Sequence, residues 1–153
     1  MSKQNIYDNE AFFENFQSSR SSDVNFNDCI ETPILFSMLP DLHGKKILDI
    51  GCGMGQHARQ YSDMGAASVL GIDLSAKMLE YAKEHNSGGN ILYRQMAMED
   101  IDTISETFDL VTSSLVFDYA EDFPGLMRKI HQLMKKDAEL VFSMSHPIVT
   151  AWD

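Results

Sequence analysis

The sequence predicts an α/β fold, an open, mostly parallel twisted sheet with helices on both faces. Three observations point there. From Lys45 onward, short apolar runs alternate with segments of helical periodicity, the pattern of parallel strands joined by right-handed crossovers. The first run, Ile47-Leu48-Asp49-Ile50, opens into a turn with glycine at every second position, Gly51-Cys52-Gly53-Met54-Gly55. The second run, Val69-Leu70-Gly71-Ile72, ends in a carboxylate, Asp73, eighteen positions beyond Gly55. Glycines let a backbone approach a ligand closely, and a strand-end carboxylate accepts two hydrogen bonds from a ribose diol. This is the arrangement of a nucleotide-type cofactor site at the C-terminal edge of a parallel sheet.

Residues 1–44 read as an N-terminal helical cap, and residues 45–153 as the cofactor-binding core. In the cap, Tyr7 and Phe26 stand among Asn, Ser, Asp and Glu, while Phe12, Phe13 and Phe16 suit one face of a short helix. Ser18-Ser19-Arg20-Ser21-Ser22 reads as a loop. Residues 31–39 read as a second helix, with Thr32-Pro33 near its start and Pro40 ending it. In the core, Lys46–Ile50 is mainly apolar, as suits a strand covered on both faces. Residues 56–64 form a helix that Gly65 ends. Ser68–Asp73 is the next strand, and Ser75 is placed to cap a helix running to about His85, with Met78, Leu79 and Ala82 on one face. The loop Asn86-Ser87-Gly88-Gly89-Asn90 leads to a third strand, Ile91–Gln95. Residues 108–115 are a fourth strand, residues 123–134 a helix with Leu126, Ile130, Leu133 and Met134 inward, and residues 139–145 a fifth strand.

A chain of 153 residues suffices for one domain with its own core. The net charge of −11, with Lys and Arg scattered, argues against a nucleic-acid phosphate backbone as partner. No apolar stretch approaches the roughly 20 residues that span a bilayer, and no apolar signal core follows Met1-Ser2-Lys3-Gln4-Asn5. The two cysteines, Cys29 and Cys52, make no disulfide framework, so a reducing, cytoplasmic setting is expected. His43, His57, His85, His131 and His146 show no ligand spacing, and no metal is expected. The serine elbow G-x-S-x-G is absent.

The glycine spacing discriminates among nucleotide ligands. A dinucleotide fingerprint places its third glycine three positions after the second. Here it comes two positions after, and Gln56 stands where that fingerprint has glycine. A Walker lysine is missing as well, which removes a P-loop reading. The glycine turn after Asp49, the acidic strand end at Asp73, Ala97-Met98-Glu99-Asp100 after the third strand and Phe108-Asp109-Leu110-Val111-Thr112-Ser113-Ser114 at the fourth together resemble a known family. It is the class I S-adenosylmethionine-dependent methyltransferases, with their seven-strand, Rossmann-like core, and the resemblance runs from about Lys45 to Ser145. Ser143-Met144-Ser145-His146-Pro147-Ile148, Tyr7-Asp8-Asn9 and Arg20 resemble one bacterial branch acting on small molecules.

The resemblance implies roles. Gly51, Gly53 and Gly55 would pass under the amino-acid half of S-adenosylmethionine, and Asp49 would hold its ammonium end, directly or through water. Asp73 would bind the ribose hydroxyls, Leu74 and Met78 would flank the adenine, and Ala97 and Met98 would meet its edge. Ser113 would lie near the methionine portion. A cationic sulfur suits an acidic site better than a phosphate would. Other roles stay open. Met78 and Met98 serve equally as core filler. His57 faces either the cofactor or solvent, and Tyr7 and Arg20 are either lid residues or ordinary packing and surface residues. His146 is either a proton acceptor for substrate or part of a structural His-Pro turn.

Two departures from the family pattern stand out. Lys136-Asp137-Ala138 replaces the usual Pro-Gly-Gly turn before the fifth strand. The family also continues past that strand with a helix and two more strands, whereas this chain stops at Thr150-Ala151-Trp152-Asp153. The resemblance therefore implies a C-terminally truncated core. It leaves Leu140-Val141-Phe142 as an apolar edge open to a second copy of the chain. Two functions are expected in turn. The first is S-adenosylmethionine-dependent methyl transfer to a small-molecule acceptor, without nucleic acid or membrane. The alternative is a non-catalytic or truncated S-adenosylmethionine-binding module that needs a partner or the missing segment. The glycine spacing opposes a nicotinamide dehydrogenase.

Overall fold

Ile47 and Leu48 are neighbours in the chain, yet they feed two different cores, as do Val69 and Leu70, and Leu110 and Val111. Side chains alternate across a strand, so a sheet with apolar residues at consecutive positions must be covered on both faces. The computed structural model describes residues 6–20 and 27–146. Phe26, Ser21, Ser22, Pro147, Ile148 and residues 150–153, singled out above, lie outside them. The sheet comprises β1 Lys46–Ile50, β2 Ser68–Asp73, β3 Ile91–Gln95, β4 Phe108–Ser114 and β5 Met134–Ser143. The strands stand in the order β3-β2-β1-β4-β5, and every pairing is parallel.

Helices α1 Glu10–Arg20 and α2 Thr32–Ser37 precede the sheet, and α3 Gln56–Asp63, α4 Ala76–His85 and α5 Phe123–Leu133 follow its strands. Leu35 of α2, Ala58 and Tyr61 of α3, and Leu79 and Ala82 of α4 build the core on one face. Leu126, Ile130 and Leu133 of α5, with Ile101 and Phe117 from two short 3-10 turns, build the other. The chain leaves β1 for β2 and β3, then returns to lay β4 on the far side of β1. A right-handed crossover in each direction puts the helices on opposite faces. It also opens a crevice at the C-terminal ends of β1 and β4, where open α/β sheets bind ligands.

Local signals explain most boundaries. The Ser75 hydroxyl accepts from Met78 N at 3.2 Å, capping α4 as expected. Asp122 caps α5 by accepting from Gly125 N at 2.9 Å. Gly65 stands at φ +92 just past α3, which ends at Asp63, one residue short of the expected 64.

Four elements differ from expectation: Ser18-Ser19-Arg20, read as loop, form the last residues of α1, and three more follow. The second helix was expected over residues 31–39, but Asn27–Glu31 form a π-helical turn and α2 begins only at Thr32. The fourth strand stops at Ser114 because Leu115 turns to φ +55. The fifth strand was expected over residues 139–145, yet β5 runs from Met134 to Ser143 and α5 ends at Leu133. Lys136-Asp137-Ala138 is absorbed into β5 as an irregularity, with Phe108 opposite Met134 but Leu110 opposite Glu139. Asp137 takes φ +65 there, a conformation that Asp tolerates better than most side chains. Among the described residues, no helix is long and apolar enough to cross a membrane.

Candidate functional site

The glycine turn is stitched to the end of β2. Gly51 N and Cys52 N both donate to the Ile72 carbonyl, at 2.8 and 2.9 Å. Gly53 N donates to Asp73 Oδ2 at 2.9 Å, and Ser75 N donates to Asp73 Oδ1 at 2.8 Å. Each Asp73 oxygen thus accepts one backbone bond and keeps lone-pair capacity for another donor. Burial pushes the Asp73 carboxyl above its ordinary value, these backbone bonds pull it back, and the Asp8 charge adds to the rise.

Gly51, Gly53 and Gly55 all stand at positive φ, +71, +52 and +79. Their surroundings differ. A Cβ on Gly51 would lie 2.3 Å from Val116, and one on Gly55 would lie 2.3 Å from Tyr93 Oη, whereas one on Gly53 would meet nothing within 4 Å. The outer glycines are required by packing. The middle one presents bare backbone to open space, where a ligand can lie against it. Tyr93 Oη also stands 2.8 Å from the Asn86 carbonyl, and Asn86 Nδ2 donates to the Met54 carbonyl at 2.8 Å, so the turn is braced from behind. Gly55→Ala is therefore expected to cost about 2–4 kcal/mol, from left-handed strain and overpacking together. Thermal melts of the variant against the parent check this; an unchanged melting temperature would contradict it.

Asp49 lies beneath the turn, on the same sheet face as Ile47, and is almost wholly buried. Its Oδ1 accepts from Thr112 Oγ1 at 3.3 Å, while Oδ2 is buried with no hydrogen-bond partner. Burial pushes its carboxyl up to about 7, with the Thr112 bond opposing and the Asp73 charge adding. A buried acceptor left unpaired is costly, and this one faces the requirement of a ligand ammonium group well.

The remaining expected residues gather at the same edge. Gln95 pairs with Asp73 in register, so Ala97 and Met98 follow β3 just beyond the Asp73 carboxylate. Ala97 is buried; Met98 is half-buried and packs partly on the core beneath α5. Met78 is buried in the first turn of α4, and Leu74 is half-buried. Ser113 sits opposite Ile50, but its side chain is fully buried and donates to the Ile50 carbonyl at 2.9 Å. Only its backbone is left to face a ligand.

Other residues frame this edge without a spacing signal. Asp8, in the 3-10 turn Ile6–Asp8, accepts from Ser75 Oγ at 2.6 Å and Lys77 N at 3.3 Å. Next to it, Tyr7 Oη lies 3.3 Å from Tyr119 Oη. The N-terminal arm thus reaches both α4 and the segment after β4. His57 turns to α2, with Nε2 3.2 Å from Thr32 Oγ1 and its ring edge-on to Phe36. His146 is exposed just beyond β5. Glu31 brings a carboxylate over the ends of β4 and β5, to Ser114 and Ser143.

A family described as methyltransferase domain matches residues 48–142. The chain belongs to the class I S-adenosylmethionine-dependent methyltransferases. A crystal structure of an S-adenosylmethionine-dependent methyltransferase from Mesorhizobium loti superimposes with a TM-score of 0.74 at 40% identity, over 77% of this chain and 55% of that one. A protein of Haemophilus influenzae, described as uncharacterised, is 43% identical over 97% of this chain and 61% of its own length. The ubiquinone biosynthesis O-methyltransferase of Neisseria meningitidis serogroup C is 36% identical over 67% of this chain and 45% of its own. The chain thus spans about half the length of these methyltransferases, and S-adenosylmethionine is the family's cofactor. The chemistry of the edge fits that cofactor. It offers two carboxylates, an open glycine backbone and a buried oxygen in need of a donor, with no lysine in the turn to meet a phosphate.

Proposed function

We propose that this methyltransferase-family chain transfers a methyl group from S-adenosylmethionine to a small-molecule acceptor. The observation that carries this reading is Asp73, whose carboxylate already holds the Gly53 N–H and keeps capacity for the ribose diol. When bound, S-adenosylmethionine supplies a methyl group on a positively charged sulfur. Asp73 then holds the ribose, and the unpaired Asp49 oxygen takes the ammonium end. The bare Gly53 backbone passes under the amino-acid half, between Gly51 and Gly55. Leu74 and Met78 wall the adenine, Ala97 and Met98 meet its edge, and Ser113 contributes backbone near the methionine portion. Such catalysis is mainly orientation, the acceptor being held in line with the methyl group. The Neisseria relative's name, an O-methyltransferase, supports a small acceptor. Free Cys29 and Cys52 support a cytoplasmic setting.

Calorimetric titration with S-adenosylmethionine and with S-adenosylhomocysteine tests the reading. Saturable binding of both is expected, and the absence of heat with either would end it. A second reading is a cofactor-binding module that turns over only with further chain or a partner. It is favoured by β5, which forms an edge of the described sheet with Leu140 and Phe142 half-buried. A second copy of the chain pairing along that edge is the partner we would look for first. Methyl transfer by a demonstrably monomeric chain would exclude this reading.

A further inference from the structure

The carboxylate of Glu31 collects donors from three elements. Its Oε1 accepts from Ser114 Oγ at the end of β4, at 2.9 Å, and from Ser143 Oγ at the end of β5. Its Oε2 accepts from Thr32 Oγ1 of α2 at 3.3 Å, and Thr32 Oγ1 lies 3.2 Å from His57 Nε2 of α3. A threonine hydroxyl has one hydrogen. Turned towards the carboxylate, it leaves a lone pair that an Nε2–H tautomer of the histidine can meet. The Asp73 side of the crevice, at β2 and β3, belongs to the ribose and adenine. Glu31 stands over the other side, at the ends of β4 and β5, which the methyl-transfer reading leaves to the acceptor.

Resting on the methyl-transfer reading above, we propose that Glu31 holds the hydroxyl group of the methyl acceptor and takes its proton. The acceptor class is then a hydroxyl-bearing small molecule. A carboxylate only accepts, so whatever it holds must donate. An ammonium group held there would be kept protonated, with no lone pair to attack. A hydroxyl keeps a lone pair while it donates. The incoming hydroxyl takes the place of the Ser143 proton on Oε1. Ser143 Oγ stays anchored, because it also accepts from Leu115 N at 3.2 Å. In the transfer, the acceptor oxygen–methyl bond forms and the sulfur–methyl bond breaks. Its electron pair stays on sulfur, which becomes neutral, and the acceptor's proton goes to Glu31 and then to solvent on product release.

The test uses the full chain with radiolabelled S-adenosylmethionine, and catechol and benzylamine as probes. The parent is expected to methylate catechol and not benzylamine. Glu31→Gln is expected to lose about 100-fold in that transfer. Its melting temperature and its affinity for S-adenosylhomocysteine should stay unchanged. Catechol titrated into the S-adenosylhomocysteine-saturated chain should bind more weakly to Glu31→Gln, and Glu31→Asp should restore part of the rate. Should Glu31→Gln melt lower than the parent, Glu31→Asp decides by binding catechol more tightly and transferring faster than Glu31→Gln. Transfer by Glu31→Gln within about threefold of the parent overturns the proposal. So does a cofactor-binding chain that prefers benzylamine or leaves catechol unmethylated. Failure of the parent to bind either form of the cofactor is a different result, and it overturns the methyl-transfer reading itself.

Discussion

Asp73→Ala is expected to weaken S-adenosylmethionine binding by about 100-fold or more, read by calorimetry. On the proposed reading, two charge-assisted hydrogen bonds to the ribose disappear, each contributing roughly 1.5–3 kcal/mol. The substitution also strands two backbone donors, Gly53 N and Ser75 N, which now share that carboxylate. The glycine turn therefore loosens in the free protein as well. Asp73→Asn separates the two effects. Its amide oxygen can still accept from one of these donors, so it should preserve more of the melting temperature than of the affinity. Equal affinity in parent and Asp73→Ala would remove Asp73 from the site.

Asp49→Asn should move affinity and stability in opposite directions. Burial lifts the Asp49 carboxyl to about 7, so the folded chain holds this proton more tightly than the unfolded chain does. Stability from this group is fully present below the ordinary carboxylate range and is lost as pH rises through about 7. At pH values above that, the parent carries a buried charge that Asn does not, and the variant should be more stable by about 4 kcal/mol. Denaturant unfolding at acid and alkaline pH reads the difference, which should shrink towards acid pH. Cofactor affinity has the reverse dependence. On the proposed reading the ionised form receives the ammonium group, so parent affinity should climb with pH through about 7 and level off, while Asp49→Asn stays weak and flat. A variant less stable than the parent under alkaline conditions would contradict this account.

What the sequence made legible is what backbone geometry demands of residue type. Gly51, Gly53 and Gly55 occupy positive φ, a requirement that few other residues meet, so the turn could be found and its ligand class narrowed by spacing. Ser75 announced the start of α4 for the same local reason. Contacts across long stretches of chain were not legible. Nothing around Asp8 says that its partner is Ser75, 67 residues away, and nothing around Glu31 names Ser114 and Ser143. Ser113 shows an intermediate case. Its place at the end of β4 could be read, but the turn of its hydroxyl to Ile50 depends on the register of β4 against β1. The bulge at Asp137 was hidden likewise, because a non-glycine residue took the left-handed position.

The N-terminal arm has a consequence for how the molecule comes to be. Its anchors close some of the widest spans in the chain, with Tyr7 and Tyr119 112 residues apart and Glu31 and Ser143 also 112 apart. Such contacts bear a large loop-closure entropy and form only once the intervening strands are in place. Synthesis runs from Tyr7 and Glu31 towards β4 and β5, so these residues must wait until both strands have followed before they can dock. Segments made earlier thus dock after segments made later, and the docking of Tyr7 and Glu31 reports that the sheet beneath them is finished.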